Sequence, residues 1–281
     1  MQRVTGVLGV VGDLVEDVVV WPEGPVQRGS DTPARVFRSR GGSAANVAVA
    51  AAAHVPVRFL GCVGADALGD RLVGELVAAG VDARVQRRGR TGSVVVLVDT
   101  DGERTFLPDR AASAALAPPA PEDLDGLALL HVPAYGLDGG DTATTVRALL
   151  ASGRPVSLDA SSWAVLRAVG DVRALVEAVR PVVLFANADE ARELDLPVPG
   201  VDVVVKDGPR PTVLLAADGT RRSWPVDPVA GVRDSTGAGD AFAAGWLSAM
   251  LEGRDHDARV SRAHAMARRV LQHPGAGGGP A

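Results

Sequence analysis

Lysine is almost absent from this 281-residue chain: Lys206 is the single one. No G-x-x-x-x-G-K-[ST] stretch exists, so a Walker-type P-loop is excluded, and any phosphate site has to use backbone amides, arginine and metal. Cysteine is as scarce. Cys62 alone cannot form an internal disulfide or a cysteine-rich metal centre, and it suits a small buried residue after a strand. Positive charge is in deficit, with a net charge of -5, so no global basic field is available to capture nucleic acid. Apolar runs fall short of a membrane span, and "MQRVTGVLGVVGDLVED" lacks a signal-peptide cleavage pattern, so a cytoplasmic protein without membrane or nucleic-acid partners is expected. His54, His131, His256, His264 and His273 show neither metal-ligand spacing nor a neighbouring nucleophile, and structural or surface roles are expected for them. A G-x-S-x-G elbow and a G-x-G-x-x-G fingerprint after the first strand are missing, which weakens hydrolase and dinucleotide readings.

What is present alternates. β-rich runs such as "GVLGVVG", "VRFLGCVG", "LALLHV", "PVSLD", "VVLFAN" and "VDVVVKDG" are separated by helix-like segments. That order predicts an α/β fold, a doubly wound and mostly parallel sheet flanked by helices, with ligands at the carboxyl ends of its strands. "VEDVVVWPEGPVQRGSDTPARVFRS" and "TGSVVVLVDTDGERTFLPD" break the alternation with short strands and turn chemistry, "DTDGERT" being a hairpin signal. They read as a small second sheet, a lid beside the main one.

Four stretches carry chemistry. In "DSTGAGDAFAAGWL", Gly237 and Gly239 leave amides uncovered just before an apolar helix, a suitable cradle for an anion, and Asp240 falls in the first helical turn. A carboxylate there can equally complement the helix dipole. "GGSAANVAVAAA" places Gly41 and Gly42 before an alanine-rich helix with Asn46 about one turn inside; it reads as a ligand site or as a glycine turn with close packing. "GDLVED" puts Asp13 and Asp17 at and beyond the end of the first strand, where carboxylates can accept hydrogen bonds from sugar hydroxyls or serve a turn. In "NADE", Asn187 and Glu190 share a helical face and suit either a capping box or a metal and phosphate role.

Taken in order over almost the whole chain, "GDLVED", "GGSAANVAVAAA", "FLGCVGADALGDRLVGELVAAGVDA", "NADE" and "DSTGAGDAF" resemble the ribokinase-like, PfkB-type carbohydrate kinases. The resemblance implies one kinase domain over residues 1–281, with lid segments at about 15–40 and 84–112. It implies transfer of the γ-phosphoryl of ATP to a hydroxyl of a sugar or sugar acid. By the same resemblance Asp240 matches the catalytic base, and Gly237, Ala238 and Gly239 match the anion hole. Asp13, Asp17, Gly41, Gly42 and Asn46 fall at acceptor-binding positions, and Asn187, Glu190, Lys206 and Gly208 fall on the nucleotide side. Asn187 and Glu190 match the motif associated with magnesium, while Asp234 and Thr236 match positions near a monovalent-cation site, with potassium the candidate. A homodimer through the lid is also implied.

The sequence departs from the pattern where "LPDRAASAAL" replaces a Gly-Ala-Asn stretch and "HVPAYGL" has no glutamate, so ribose is not the first choice of acceptor. Pro211 stands where a second glycine is frequent, and no aromatic platform for adenine stands out. Arg28, Arg35, Arg38 and Arg40, then Arg84, Arg87, Arg88 and Arg90, border the lid segments, reading either as a rim for an anionic acceptor or as solvated surface charge. A nucleoside kinase of the same family, with Trp21 and Phe37 stacking on a base, is the nearest alternative; a non-catalytic metabolite sensor on the same fold is a further one.

Overall fold

The structure, a computed structural model, describes residues 6–99, 103–230, 232 and 235–272. Its large sheet has nine strands in the order β13-β12-β11-β10-β9-β8-β1-β4-β5. In chain order these are β1 (Val7–Val11), β4 (Val57–Val63), β5 (Asp82–Arg87), β8 (Leu127–Pro133), β9 (Val156–Asp159), β10 (Val183–Asn187), β11 (Val203–Asp207), β12 (Arg210–Leu215) and β13 (Arg221–Trp224). Neighbours from β11 through to β5 are parallel, and β12 and β13 add antiparallel strands at one edge.

Side chains alternate across this sheet and feed two separate cores. Leu8, Val10, Phe59 and Phe185 pack toward α1 (Ser43–Ala52), α2 (Ala67–Ala78), α7 (Ala238–Leu251) and α8 (His256–Leu271). Val11, Leu60, Leu130 and Leu184 face the other way, toward α3 (Gly140–Leu150), α4 (Trp163–Val169) and α5 (Val172–Val179). The doubly wound arrangement follows. In α7 the run from Ala241 to Ala249 is buried throughout, as a helix apolar on all sides must be. Gly245 lets α8 come close: a Cβ there would lie 2.7 Å from the Ala263 Cα.

The lid is a four-stranded sheet, β3-β2-β6-β7, made of β2 (Val15–Pro22), β3 (Ala34–Gly41), β6 (Ser93–Val98) and β7 (Arg104–Asp109). Its second half begins at Ser93 rather than near 84. Residues 82–87 form β5, which follows α2 through Gly80 and pairs parallel with β4, completing a β-α-β unit of the large sheet. Asp99 N–H donates to Glu103 O, so the hairpin closes as its sequence implies, while the turn residues 100–102 lie outside the described residues.

The histidines hold structural or surface places where described. His131 is fully buried with Nδ1 3.0 Å from Ser157 Oγ, and His264 Nε2 lies 2.8 Å from Thr212 Oγ1. His256 stacks on Trp246, His54 is at the end of α1, and His273 lies outside the described residues. Cys62 is fully buried. Among the described residues no helix is long and apolar enough to cross a membrane.

Candidate active site

The strand order reverses direction at β1: the chain fills one side through β4 and β5 and the other through β8 to β13. A crevice at the carboxyl ends of the strands is the consequence, and the chemistry-bearing side chains collect there. Asp13 follows β1, Tyr135 follows β8, Asp159 ends β9, Asn187 ends β10 and Lys206 lies near the end of β11. Helices α1 and α7 aim their N-termini at the same place.

Asp240 is half-buried in the first turn of α7. Ser43 Oγ donates to its Oδ1 at 2.6 Å, and Asn46 Nδ2 donates to its Oδ2 at 2.9 Å. Both donors come from α1, so the two glycine-led helix starts in the sequence converge on one carboxylate. Burial pushes the Asp240 carboxyl above its usual range; the Ser43 and Asn46 bonds pull it back, Asp159 adds to the rise and Lys206 opposes it.

The glycines have definite jobs. Gly237 caps α7 at φ 77, the left-handed conformation that uncovers the following amides. Gly42 turns β3 into α1 at φ 97, and a Cβ on it would lie 2.2 Å from Asp13 O. Gly41 makes room for Asp17, whose carboxylate occupies the space its side chain would fill.

On the opposite side Lys206 Nζ donates to Asp159 Oδ2 at 2.8 Å and lies 3.3 Å from where a Gly239 Cβ would stand. Burial works against the Lys206 ammonium, but the charge of Asp159 and the bond to it prevail and raise its pKa. A fixed cation thus sits beside the amides at the start of α7. Asn187 and Glu190 do form a capping box on α6 (Ala188–Glu193): Asn187 Oδ1 accepts from the Asp189 and Glu190 amides, and Glu190 Oε2 accepts from the Asn187 amide at 2.7 Å. Glu190 is 3% exposed, and burial, then the charge of Asp159, push its pKa up to about 7. Two crowded carboxylates with hard oxygen donors suit a divalent cation, which would lower the cost of keeping both ionised. No cluster of three or more His, Cys, Asp or Glu groups exists among the described residues, so such an ion would need phosphate oxygens to complete its shell.

Several site residues were not nominated by the sequence. Ser43 binds the candidate base. Arg110 holds Asp13 with two bonds, 2.9 Å to Oδ2 and 2.8 Å to Oδ1, and donates to Asp138 O. Burial opposes the Arg110 charge and Asp13 outweighs it. Tyr135 is pushed up by burial and by the charges of Asp240, Asp159, Glu190 and Asp13, so its hydroxyl stays a neutral donor among acids. Asp13, Tyr135 and Asp159 all obey one strand-end rule, which the sequence reading applied only to the first strand. Asn46 and Asn187, the only asparagines in the chain, both lie in this site, a compositional signal that was available.

Other nominated positions lie at its margin. Gly208, at φ 55, forms the turn between β11 and β12. Thr236 accepts from Arg104 Nη1, which joins the lid to the glycine loop, and Asp234 lies outside the described residues. The arginine rim is mostly neutralised: Arg38 pairs with Glu16, Arg90 with Asp109 and Arg84 with Asp82, while Arg35 covers the Trp21 ring. Arg40 is the exception: it is buried, donates to Asn46 and feels the charges of Glu75, Asp17 and Asp240.

A lidded parallel sheet with an amide cradle, a cation beside it and a helix-borne carboxylate is the architecture of a small-molecule phosphotransferase. The pfkB family carbohydrate kinase model matches residues 8–195 and 199–280. The ATP-dependent ribose-1-phosphate kinase of Halopiger xanaduensis is 32% identical over 260 residues, 86% of this chain and 84% of that one. The fructokinase of Klebsiella pneumoniae is 32% identical over 273 residues, 87% of this chain and 84% of that one. The structure of Arabidopsis thaliana ribokinase complexed with ribose and ATP superposes with a TM-score of 0.78 at 26% identity, covering 96% and 94% of the two chains. The chain belongs to the pfkB family of carbohydrate kinases and is a phosphotransferase of the sugar and nucleoside kinase type.

Proposed function

We propose that this enzyme transfers the γ-phosphoryl group of ATP to a hydroxyl of a sugar or sugar acid in the cytoplasm. The observation that carries the reading is the double anchoring of Asp240 by Ser43 and Asn46 at the mouth of the Gly237–Gly239 loop. A carboxylate of raised proton affinity takes the acceptor proton as the oxygen attacks phosphorus. The amides of Gly237, Ala238 and Gly239, with Lys206 beside them, stabilise charge on the phosphoryl oxygens at a helix N-terminus. Asp17, Gly41, Gly42, Asn46 and Asp13 bound the acceptor half, and Asn187, Glu190, Lys206 and Gly208 the nucleotide half. Glu190 and Asn187, with Asp159 beside them, would hold magnesium together with the phosphates, and the ion would supply neutralisation of their charge. Potassium near Thr236 and Asp234 is the corresponding proposal for a monovalent ion.

The lid aromatics speak against a nucleoside. Trp21 meets Phe37 edge to face at 6.3 Å and is covered by Arg35, so its ring is engaged and only the half-exposed Phe37 is left to face a base. A non-catalytic sensor has no use for an anchored base beside an anion cradle. The test is ATP turnover over neutral sugars, sugar acids, sugar phosphates and nucleosides, with Asp240→Asn as control. The variant should fold, bind ATP and lose about 100-fold or more in turnover. Near-normal turnover in Asp240→Asn would remove Asp240 from its role.

A further inference from the structure

Arg40 ends β3, one residue before the turn into α1, and is 4% exposed. Its cross-strand neighbour Glu16 does not account for it, because Glu16 gives Oε2 to Arg38 and Oε1 to Arg71. Arg40 Nη1 instead donates to Asn46 Oδ1 at 2.9 Å, and Asn46 Nδ2 donates onward to Asp240 Oδ2. The two ends of an asparagine amide have nearly the same shape, so their orientation is set by their partners. A guanidinium can only donate. It therefore takes the carbonyl end and turns the NH2 toward Asp240.

We propose that Arg40 is a positioning residue for phosphoryl transfer: acting through Asn46, it fixes Asp240 Oδ2 and leaves Oδ1 as the oxygen that receives the acceptor proton. The two oxygens differ in what holds them. Oδ2 faces an amide locked by a buried cation, whereas Oδ1 faces the Ser43 hydroxyl, a rotor that an acceptor hydroxyl can join or displace. This inference rests on the kinase reading.

The electrostatic surroundings support the geometry. Burial lowers the Arg40 pKa, while Glu75 on α2, Asp17 on β2 and Asp240 on α7 raise it. Asp240 also faces Asp159 and Lys206 on the nucleotide side, and its charge reaches Tyr135. An arginine stays protonated at any working pH, so its removal withdraws a positive charge from the base without introducing a new titration.

The experiment compares kcat, acceptor KM and the pH profile of kcat for wild type, Arg40→Met, Arg40→Lys, Asn46→Ala and the Arg40→Met/Asn46→Ala double variant, with melting temperature as the folding control. Arg40→Met should lower kcat by about 10- to 100-fold with a much smaller change in KM, as for a misplaced reacting group. Its acid limb should move to higher pH. Arg40→Lys, which keeps the charge without the fork, should restore the limb and only part of kcat. Once Asn46 is alanine, Arg40→Met should cost little more, because the two act in series. A raised KM with intact kcat makes Arg40 an acceptor contact and overturns the inference. So does a lower melting temperature with an unmoved acid limb and additive losses. A wild type silent on every acceptor instead overturns the kinase reading itself, and the inference with it.

Discussion

Glu190 answers to two demands at once. It closes the capping box on α6 and contributes a buried carboxylate beside Asp159. A carboxyl group that binds its proton more tightly folded than unfolded stabilises the fold below its unfolded pKa, near 4.5, and this contribution is lost as pH rises through about 7. Over that window the wild type should lose up to about 3 kcal/mol on this account, and magnesium with ATP should reverse the loss by favouring the ionised form. Glu190→Gln can still accept from the Asn187 amide but cannot titrate. We expect its melting temperature to vary less between pH 5 and pH 8, and its turnover to need more magnesium. Thermal melts across that range, with and without magnesium and ATP, check the first expectation, and a magnesium titration of turnover checks the second. A wild-type profile no steeper than that of the variant, with unchanged magnesium dependence, would reduce Glu190 to a cap.

At the level of elements, α7 is placed by its contact with α8, and that contact depends on Gly245. Gly245→Val would drive a side chain against the Ala263 backbone, which no rotamer change relieves. A loss of about 1–3 kcal/mol is expected in urea unfolding, along with reduced turnover because Asp240 rides on the displaced helix. The lid has its own attachment, Arg104 to Thr236. Arg104→Ala should leave the melting temperature nearly unchanged, raise KM and increase ATP hydrolysis without acceptor, since a lid that closes poorly admits water. Equal coupling of hydrolysis to transfer in both proteins would rule out that closing role.

The element level is also where the sequence was most legible. Gly-Gly before an alanine run, and Gly-Ala-Gly before an apolar one, announced two helix starts, and both meet at Asp240 in the candidate site. Local patterns carry such information because amide exposure and helix polarity are set within a few residues. The lid boundary near 84 was misplaced because β5, an edge strand with several polar residues, has the pattern of a lid strand. Its parallel pairing with β4 is a tertiary fact. Arg110, Tyr135 and Asp159 were missed for the same reason: each is ordinary locally and becomes a site residue only when the strand order brings the carboxyl ends together. The arginine rim shows the converse. A run of like charge in sequence is divided among different partners: Arg38 and Arg40 share one face of β3, yet Arg38 meets Glu16 while Arg40, next to the turn into α1, bonds Asn46.

On the scale of the whole molecule, the lid has an apolar row across its full width, Phe37, Val19, Val96 and Phe106, on the face that carries Asp17. Phe37 and Phe106, at its two ends, are each about half exposed. Both lie on edge strands, where unpaired backbone and apolar side chains favour a second copy of the chain. We propose a homodimer through the lid. Light scattering at micromolar concentration should give twice the chain mass, and Phe37→Glu together with Phe106→Glu should return the protein to a monomer that melts earlier. A wild type of single-chain mass at that concentration would leave the row as an inner roof over the acceptor.

The solitary lysine has a consequence for labelling. Apart from the chain's amino terminus, Lys206 is the one primary amine, and it lies against the Gly239 loop with its charge held by Asp159. An amine-selective acylating reagent can therefore add only one internal adduct, and that adduct reports a single location. Slow reaction is expected while the ammonium stays paired, and slower reaction still when nucleotide phosphates cover it. The mass of the intact protein, followed over time, would then read occupancy of the nucleotide half directly, without a substrate having been identified and without an engineered tag.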